Sequence, residues 1–406
     1  MYGLLGEKLG HSFSPQIHAM LGEYEYKLFE VEKDKLGEFF ENRQWNGINV
    51  TIPYKKAVIP YLDELSDTAA KIGSVNTVVA KPDGKLYGYN TDYDGFLYLV
   101  SISKIEINGK KCLVLGTGGA SLTVIAVLKD MGAKEIINIS RSGENNYNNL
   151  DRHFDAEVIV NTTPVGMYPD NLNTPLPLDG FKNLSGVLDI VYNPCKTKLI
   201  LDAEAKGIKA MSGLSMLVAQ AKKASELFFG IKIPDGKNDE IYKKLSFDFK
   251  NIILIGMPGS GKTTISRALS EILNREVIDT DEMIVNKYQK SIPDIFKDGG
   301  ERLFRKYEHE AVKEAGKLSG KIIATGGGVV VTPENLDALR QNGTIVFLNR
   351  DISVLPKDGR PLSQSTDLNE MSAKRLPLYR QFCDIEVDGN GTIDEVANDI
   401  VKELKK

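Results

Sequence analysis

Short, unbroken apolar runs recur along the chain, separated by stretches in which apolar residues return every three or four positions. KCLVLG (111–116), EIINIS (135–140), NIILIG (251–256) and TIVFLN (344–349) are of the first kind. SLTVIAVLKDMG (121–132) and TISRALSEIL (264–273) are of the second. A strand buried on both faces reads as a continuous apolar run, and a helix packed over it shows the three-to-four period. The alternation predicts an α/β fold with parallel sheets and helical crossovers. One polar stretch, 231–250, contains Pro234 and Gly236 and precedes a fresh strand signal, so it reads as a linker. A softer break near residue 100, at SKIEINGKK, suggests that the first half has two lobes. No internal repeat or low-complexity tract is visible.

The length of 406 residues exceeds one ordinary core and suggests two or three compact units. With 42% hydrophobic and 26% charged residues, the composition is that of ordinary packed domains. The balance of 51 basic and 55 acidic residues leaves no global field to attract nucleic acid or anionic lipid, so small-molecule partners fit better. Cys112, Cys195 and Cys383 are far apart in sequence, which suggests reduced thiols rather than a disulfide framework or a zinc site. The first ten residues, MYGLLGEKLG, do not read as a secretory signal, and no apolar run reaches membrane-spanning length. The expected compartment is the cytoplasm.

Two kinds of chemistry then stand out. Gly256-Met-Pro-Gly-Ser-Gly261-Lys262-Thr263 matches G-x-x-x-x-G-K-[ST] between a strand and a helix. In such a loop, backbone N–H groups at Gly259, Ser260 and Gly261 and the helix start at Thr264 cradle phosphates. Lys262 reaches the β- and γ-phosphates of ATP, and the Thr263 hydroxyl coordinates Mg²⁺. Asp279 and Asp281 follow a second strand, where open α/β sheets bind ligands. Asp279 can join the Mg²⁺ shell, and Asp281 can accept a hydroxyl proton. The Gly326-Gly327-Gly328 turn makes best sense if backbone must approach a ligand closely.

In the other half, Gly116-Thr-Gly118-Gly119-Ala120 is a partial dinucleotide fingerprint, with Ser121 at the third glycine position. The next strand ends at Arg141, and an arginine there suits the 2′-phosphate of NADP better than the ribose of NAD. HSFSPQIH (11–18) offers two hydroxyls before a helix, NVTIPYK (49–55) a lysine after a strand, and YNTD (89–92) a carboxylate.

Residues 251–406 resemble shikimate kinase through the phosphate loop, DTD, SIPDIFKDGGERLFRKYE (291–308), ATGGG (324–328), GRPL (359–362) and KRLPLY (374–379). The resemblance implies that Asp281, Arg305, Gly326 to Gly328 and Arg375 hold shikimate and that Arg360 belongs to a lid over ATP. The stretch FLNRDISVLPKDGRPL lacks the longer segment, with its own arginine, that usually precedes GRPL.

Residues 1 to about 235 resemble shikimate dehydrogenase. Further matches are IGSVNT (72–77), VNTTPVGM (160–167), DIVYNP (189–194) and SGLSMLVAQA (212–221). That resemblance implies substrate contacts at Ser12, Ser14, Thr51, Asn76, Asp92, Tyr192 and Gln220, with Gly213 among the NADP residues. Lys55 becomes the acid/base and Asp92 its neighbour, Lys55 protonating the alkoxide that forms from the ketone of 3-dehydroshikimate. The implied domains are a substrate lobe of 1–100 plus 214–235, a Rossmann-type NADP lobe of 101–213, a linker of 236–250 and a phosphate-loop kinase of 251–406. The implied reactions are successive: reduction of 3-dehydroshikimate to shikimate, then phosphorylation of shikimate. A dehydrogenase preferring quinate and NAD is the alternative that Arg141 disfavours.

Overall fold

The computed structural model describes residues 1–10, 12–355 and 368–406. Arg360, expected in the lid, lies outside them, as does His11 of the HSFSPQIH motif. The chain divides into one unit of Met1–Leu245 and another of Ser246–Lys406.

The first unit holds two sheets. β1 (Tyr2–Gly6), β2 (Tyr26–Glu30), β3 (Gly47–Val50), β4 (Glu64–Leu65), β5 (Thr77–Ala80) and β6 (Leu86–Tyr89) form a six-stranded sheet in the order β2-β1-β3-β5-β6-β4. This sheet departs from the all-parallel expectation, because β5 runs antiparallel to both β3 and β6. Only Lys81–Lys85 separate β5 from β6, too few residues for a helical crossover, and Pro82-Asp83-Gly84 is a turn sequence. The second sheet contains β7 (Lys111–Leu115), β8 (Glu135–Ile139), β9 (Val158–Asn161), β10 (Gly186–Asp189) and β11 (Lys209–Ser212), in the order β11-β10-β9-β7-β8 and parallel throughout. Chain order reverses at β7, so the loop leaving its C-terminal end opens on the crevice where doubly wound sheets bind ligands.

The helix Leu214–Phe229 follows β11 but packs against the helices Asp92–Ser103 and Ser14–Leu21. Gly95 makes this packing close, since a β-carbon there would lie 2.6 Å from the Met216 carbonyl oxygen and 3.0 Å from the Gln220 side chain. Gln220 is thereby brought within one helical turn of Asp92.

The stretch read as a linker is mostly a helix, Gly236–Phe249. Pro234 and Gly236 mark only its start. Ile241 and Leu245, four residues apart, are both buried, which is the period of a packed helix.

The second unit is built on β12 (Asn251–Ile255), β13 (Val277–Asp279), β14 (Ile322–Ala324), β15 (Gly343–Asn349) and β16 (Ile385–Asp388), all parallel in the order β13-β14-β12-β15-β16. Every residue of β12 is buried, as its apolar run requires of a central strand. Its neighbours β14 and β15 lie on opposite sides, so the phosphate loop opens from the switch point of this sheet as well. Among the described residues no helix is long and apolar enough to cross a membrane.

Candidate active sites

In the first unit, the turn after β3 carries Lys55 and the start of the helix Asp92–Ser103 carries Asp92. Lys55 Nζ donates to Asp92 Oδ2 at 2.5 Å, with side-chain exposures of only 17% and 10%. Asp92 is fixed from behind. The Thr91 backbone N–H donates to Asn76 Oδ1 at 2.6 Å, and Thr77 Oγ1 donates to the same oxygen at 3.2 Å. Asn49 Nδ2 donates to Thr77 Oγ1 at 3.0 Å, and Tyr26 Oη donates to Asn49 Oδ1 at 2.8 Å. Tyr26 in turn bonds the Ser14 side chain, and Ser12 Oγ accepts from the Ser14 backbone N–H at 3.2 Å. A chain of hydrogen bonds thus runs from the two serines to Thr91, whose covalent neighbour Asp92 accepts from Lys55, and five of the predicted residues, Ser12, Ser14, Asn76, Asp92 and Lys55, lie along it.

Four of its members, Tyr26, Asn49, Thr77 and Thr91, were not singled out from sequence. Asn49 and Thr77 sat inside quoted motifs, but nothing in their spacing distinguishes a hydrogen-bond relay from strand filler. His18 stacks on Tyr26 with ring centroids 3.8 Å apart, and burial lowers its pKa to about 3, so it is a neutral packing element. Phe13 meets Tyr192 ring to ring at 5.4 Å, linking the serine segment to another predicted contact. The Thr51 methyl faces Gly6, where a β-carbon would lie 2.8 Å from it.

The glycine loop after β7 reaches this lysine. A β-carbon on Gly119 would come 3.8 Å from the Lys55 side chain and 3.5 Å from Ser74 Oγ, so a ligand along this loop would run beside Lys55. Gly116 has φ 107°, a left-handed value that glycine adopts freely, and a β-carbon there would press on Thr162 and Thr163 at 2.9 and 3.0 Å. Gly118 caps the helix Gly119–Asp130, and Ala120 lies in its first turn. Ser121 is fully buried and donates to the Gly118 carbonyl at 2.7 Å, closing the loop where the fingerprint has a third glycine. Arg141 is exposed just beyond β8, beside Tyr147. Gly213 caps the helix Leu214–Phe229 and packs on Ile190.

Behind the loop, Asp189 is completely buried at the end of β10. It accepts from Thr197 Oγ1 at 2.7 Å, the Val191 N–H at 2.9 Å and Asn161 Nδ2 at 3.0 Å. Asn161 Oδ1 in turn receives Thr163 Oγ1 at 2.7 Å, so this carboxyl orders the segment that abuts Gly116. Burial pushes its pKa up to about 7 despite the three donors.

In the second unit, Gly259 and Gly261 have φ 87° and 94°, and Gly261 caps the helix Lys262–Leu273. Ser260 is buried within the loop and Thr264 is exposed at the helix start. Lys262 Nζ donates to the carbonyls of Gly256 and Met257, both at 2.9 Å, which folds it back over the loop. Thr263 Oγ1 donates to Asp279 Oδ2 at 3.2 Å, so the two oxygens expected around Mg²⁺ are adjacent. Asp279 Oδ1 also caps the helix Thr280–Tyr288 by accepting from the Asp281 N–H at 2.9 Å.

Asp281, Arg305, Arg375 and the glycine turn converge on one place. A β-carbon on Gly326 would lie 2.9 Å from Asp281 Oδ1 and 3.0 Å from Glu308 Oε1, and one on Gly328 would fall within the Arg305 guanidinium. Arg375 Nη1 and Tyr379 Oη both donate to the Gly327 carbonyl, at 3.2 and 2.5 Å. The helical segment Ile292–Gly316 is broken at Gly300 (φ 66°), which sets the direction of its second part and hence of Arg305. Arg305 donates to Glu308 Oε2 at 2.7 Å and to Glu301 Oε1 at 2.8 Å. Glu308, fully buried, was missed in the sequence, although its i,i+3 spacing from Arg305 is that of a helical ion pair. Burial raises its carboxyl to about 6 against the opposing pull of Arg305.

Residues 258–405 match the shikimate kinase family model, and residues 4–78 match the substrate-binding domain of shikimate dehydrogenase. Shikimate dehydrogenase (NADP⁺) from Clostridium beijerinckii is 41% identical over 268 residues, covering 61% of this chain and 99% of the relative. Among solved structures, a chorismate mutase/shikimate 5-dehydrogenase fusion protein from Clostridium acetobutylicum is 41% identical with TM-score 0.57, covering 60% of this chain and 96% of that one. Shikimate 5-dehydrogenase from Thermus thermophilus, solved with NADP(H) and shikimate, is 31% identical with TM-score 0.55, covering 60% and 98%. The geometry and these likenesses agree: the chain belongs to the shikimate dehydrogenase family through its N-terminal part and carries a shikimate kinase domain after it.

Proposed function

We propose that the chain reduces 3-dehydroshikimate to shikimate with NADPH and then phosphorylates shikimate with ATP and Mg²⁺, at two separate active sites. The dehydrogenase is read as a substrate lobe of 1–100 plus 214–235 and an NADP lobe of 101–213. The kinase is read as 251–406. The observation that carries the first reaction is the Lys55–Asp92 pair beside Gly119. NADPH supplies the hydride. Lys55 Nζ gives its proton to the oxygen that becomes the new hydroxyl, and Asp92 Oδ2, which accepts from that nitrogen, keeps it aimed until then. Asn76, held by Thr77 and Thr91, together with Ser12, Ser14, Thr51, Tyr192 and Gln220, orients the ring and its carboxylate. Gly116, Gly118, Gly119, Ala120 and Gly213 let the dinucleotide approach closely, and the exposed guanidinium of Arg141 suits its 2′-phosphate.

The kinase reading rests on the union of a phosphate loop with the Asp281–Arg305–Gly326 cluster. The adjacent Thr263 and Asp279 would hold Mg²⁺, which when bound would neutralise charge on the phosphates. Lys262 releases its loop carbonyls to meet the β- and γ-phosphates. Arg305 and Arg375 grip the shikimate carboxylate, and Asp281 accepts the proton of the attacking hydroxyl. Glu308 holds Arg305 in place. The partners are small molecules, neither nucleic acid nor membrane, and the compartment is the cytoplasm.

A coupled assay tests the reading. Given 3-dehydroshikimate and NADPH, the chain oxidises NADPH first, and ADP appears only when ATP and Mg²⁺ are added. If ADP does not form from shikimate, the kinase reading is wrong. If NADPH is not consumed, the dehydrogenase reading is wrong.

A further inference from the structure

Arg350 follows β15 and has no part in the machinery described so far. Its guanidinium lies against the phosphate loop, where a β-carbon on Gly261 would be 3.4 Å from Arg350 Nη1. Its stem is fixed from the other side, since a β-carbon on Gly389 would be 3.3 Å from Arg350 Cβ. Among the described residues Arg350 makes no ion pair, and its Nε is buried without a hydrogen-bond partner. The acidic side chain next to it in sequence and those of the paired strand β16 are engaged elsewhere, Asp388 Oδ1 accepting from Asn390. Asp351 Oδ1 accepts from the Ser353 N–H, and Glu386 accepts from Arg380 and Asn349. A cavity of about 210 Å³ opens beside the guanidinium, lined also by Met257, Phe347, Ser372 and Tyr379.

An arginine keeps its charge at any ordinary pH, so a buried Nε–H without an acceptor costs free energy that folding alone does not recover. A bound anion recovers it. The anion that this location offers is the one cradled by Gly261 and the N-terminus of the helix Lys262–Leu273, where backbone N–H groups already converge. A guanidinium also suits phosphate oxygens geometrically, presenting parallel donors.

We propose that Arg350 binds the nucleotide in the kinase half, its guanidinium donating to a phosphate oxygen of ATP or ADP seated in the Gly256–Thr263 loop. The inference rests on the reading of that loop as the ATP site and adds a cation from outside the phosphate-loop motif. It also gives the cavity beside β15 a function, as room for the guanidinium to follow the phosphates.

The test is calorimetric titration of the full chain with MgADP, adenosine and shikimate, comparing the parent with Arg350→Gln, Arg350→Lys and Lys262→Ala. Arg350→Gln is expected to weaken MgADP by about 10- to 100-fold, the range of a charge-assisted hydrogen bond. Arg350→Lys should recover part of that loss, because charge survives without the fork. Adenosine and shikimate affinities should not move, and thermal midpoints without nucleotide should not fall, whereas a purely structural role would lower the midpoint and weaken shikimate as well. Parent-like MgADP binding by both arginine variants, with Lys262→Ala weakened, would overturn the proposal and leave the ATP-site reading standing. Parent-like binding by all three variants would overturn both. Equal weakening of MgADP and adenosine would move the guanidinium to the base and overturn the phosphate assignment.

Discussion

Asp189 allows a quantitative check on the electrostatics behind the glycine loop that follows β7. Replacing it with Asn keeps the shape and most of the hydrogen bonds to Asn161, Val191 and Thr197 but removes the ionisable proton. Burial raises this carboxyl from the ordinary 3.8 to about 7. A carboxyl raised in the folded state stabilises the fold fully below its unfolded pKa, and that contribution is lost as pH climbs through the folded pKa. At about 1.36 kcal/mol per unit, the complete loss is about 4 kcal/mol. Between about pH 5.5 and about pH 8, roughly 2 kcal/mol of it is lost, since the carboxyl is still largely protonated at the lower value. For a unit of this size that corresponds to about 4–8 °C in the unfolding midpoint. Trp45, the one tryptophan of the chain, is buried in the same unit and reports its unfolding by fluorescence in the intact protein. The midpoint of Asp189→Asn relative to the parent should therefore rise by that amount between the two pH values. A difference that stays constant with pH would show that Asp189 does not titrate in this window and would refute the burial argument.

Two further substitutions probe the sites directly. Asn76→Ala removes the acceptor of the Thr91 N–H and should lower dehydrogenase kcat/KM about 10- to 100-fold, while kinase rates measured on the same sample stay unchanged. Glu308→Gln should raise the kinase KM for shikimate about tenfold and leave the KM for ATP and the NADPH reaction alone, because it loosens only Arg305. In the parent that KM should also climb as pH falls through about 6, where Glu308 gains a proton, and the Gln variant should lack this limb. A pH profile shared by parent and variant would assign the titration to another group.

Both sheets with a ligand-binding switch point were readable from their apolar runs, because strands buried on two faces have no other pattern. The β5–β6 hairpin was not, since its strands are as apolar as parallel ones and only Pro82-Asp83-Gly84 signals the reversal. The helix Gly236–Phe249 was hidden by Pro234 and Gly236, which mark a helix start as readily as a linker. At the candidate sites, Lys55, Asp92, Lys262, Asp279 and Asp281 were legible as members of motifs, and the structure sets Lys55 against Asp92 and Thr263 against Asp279. Glu308 sits one helical turn from Arg305 and is set apart only by its burial, whereas Tyr26, Asn49 and Thr77 owe their place to distances between segments far apart in the chain, as with Tyr26 and Asn49 on non-adjacent strands. Arg350 belongs to the same class, for only the fold brings it to Gly261.

The central claim is that one chain holds two independent active sites acting on the same molecule. It is tested most directly by assaying both reactions on Lys55→Ala and Lys262→Ala forms of the full chain. The account predicts that Lys55→Ala abolishes 3-dehydroshikimate-dependent NADPH oxidation and keeps shikimate-dependent ADP formation, and that Lys262→Ala does the reverse. Either substitution silencing both reactions in folded protein would contradict it.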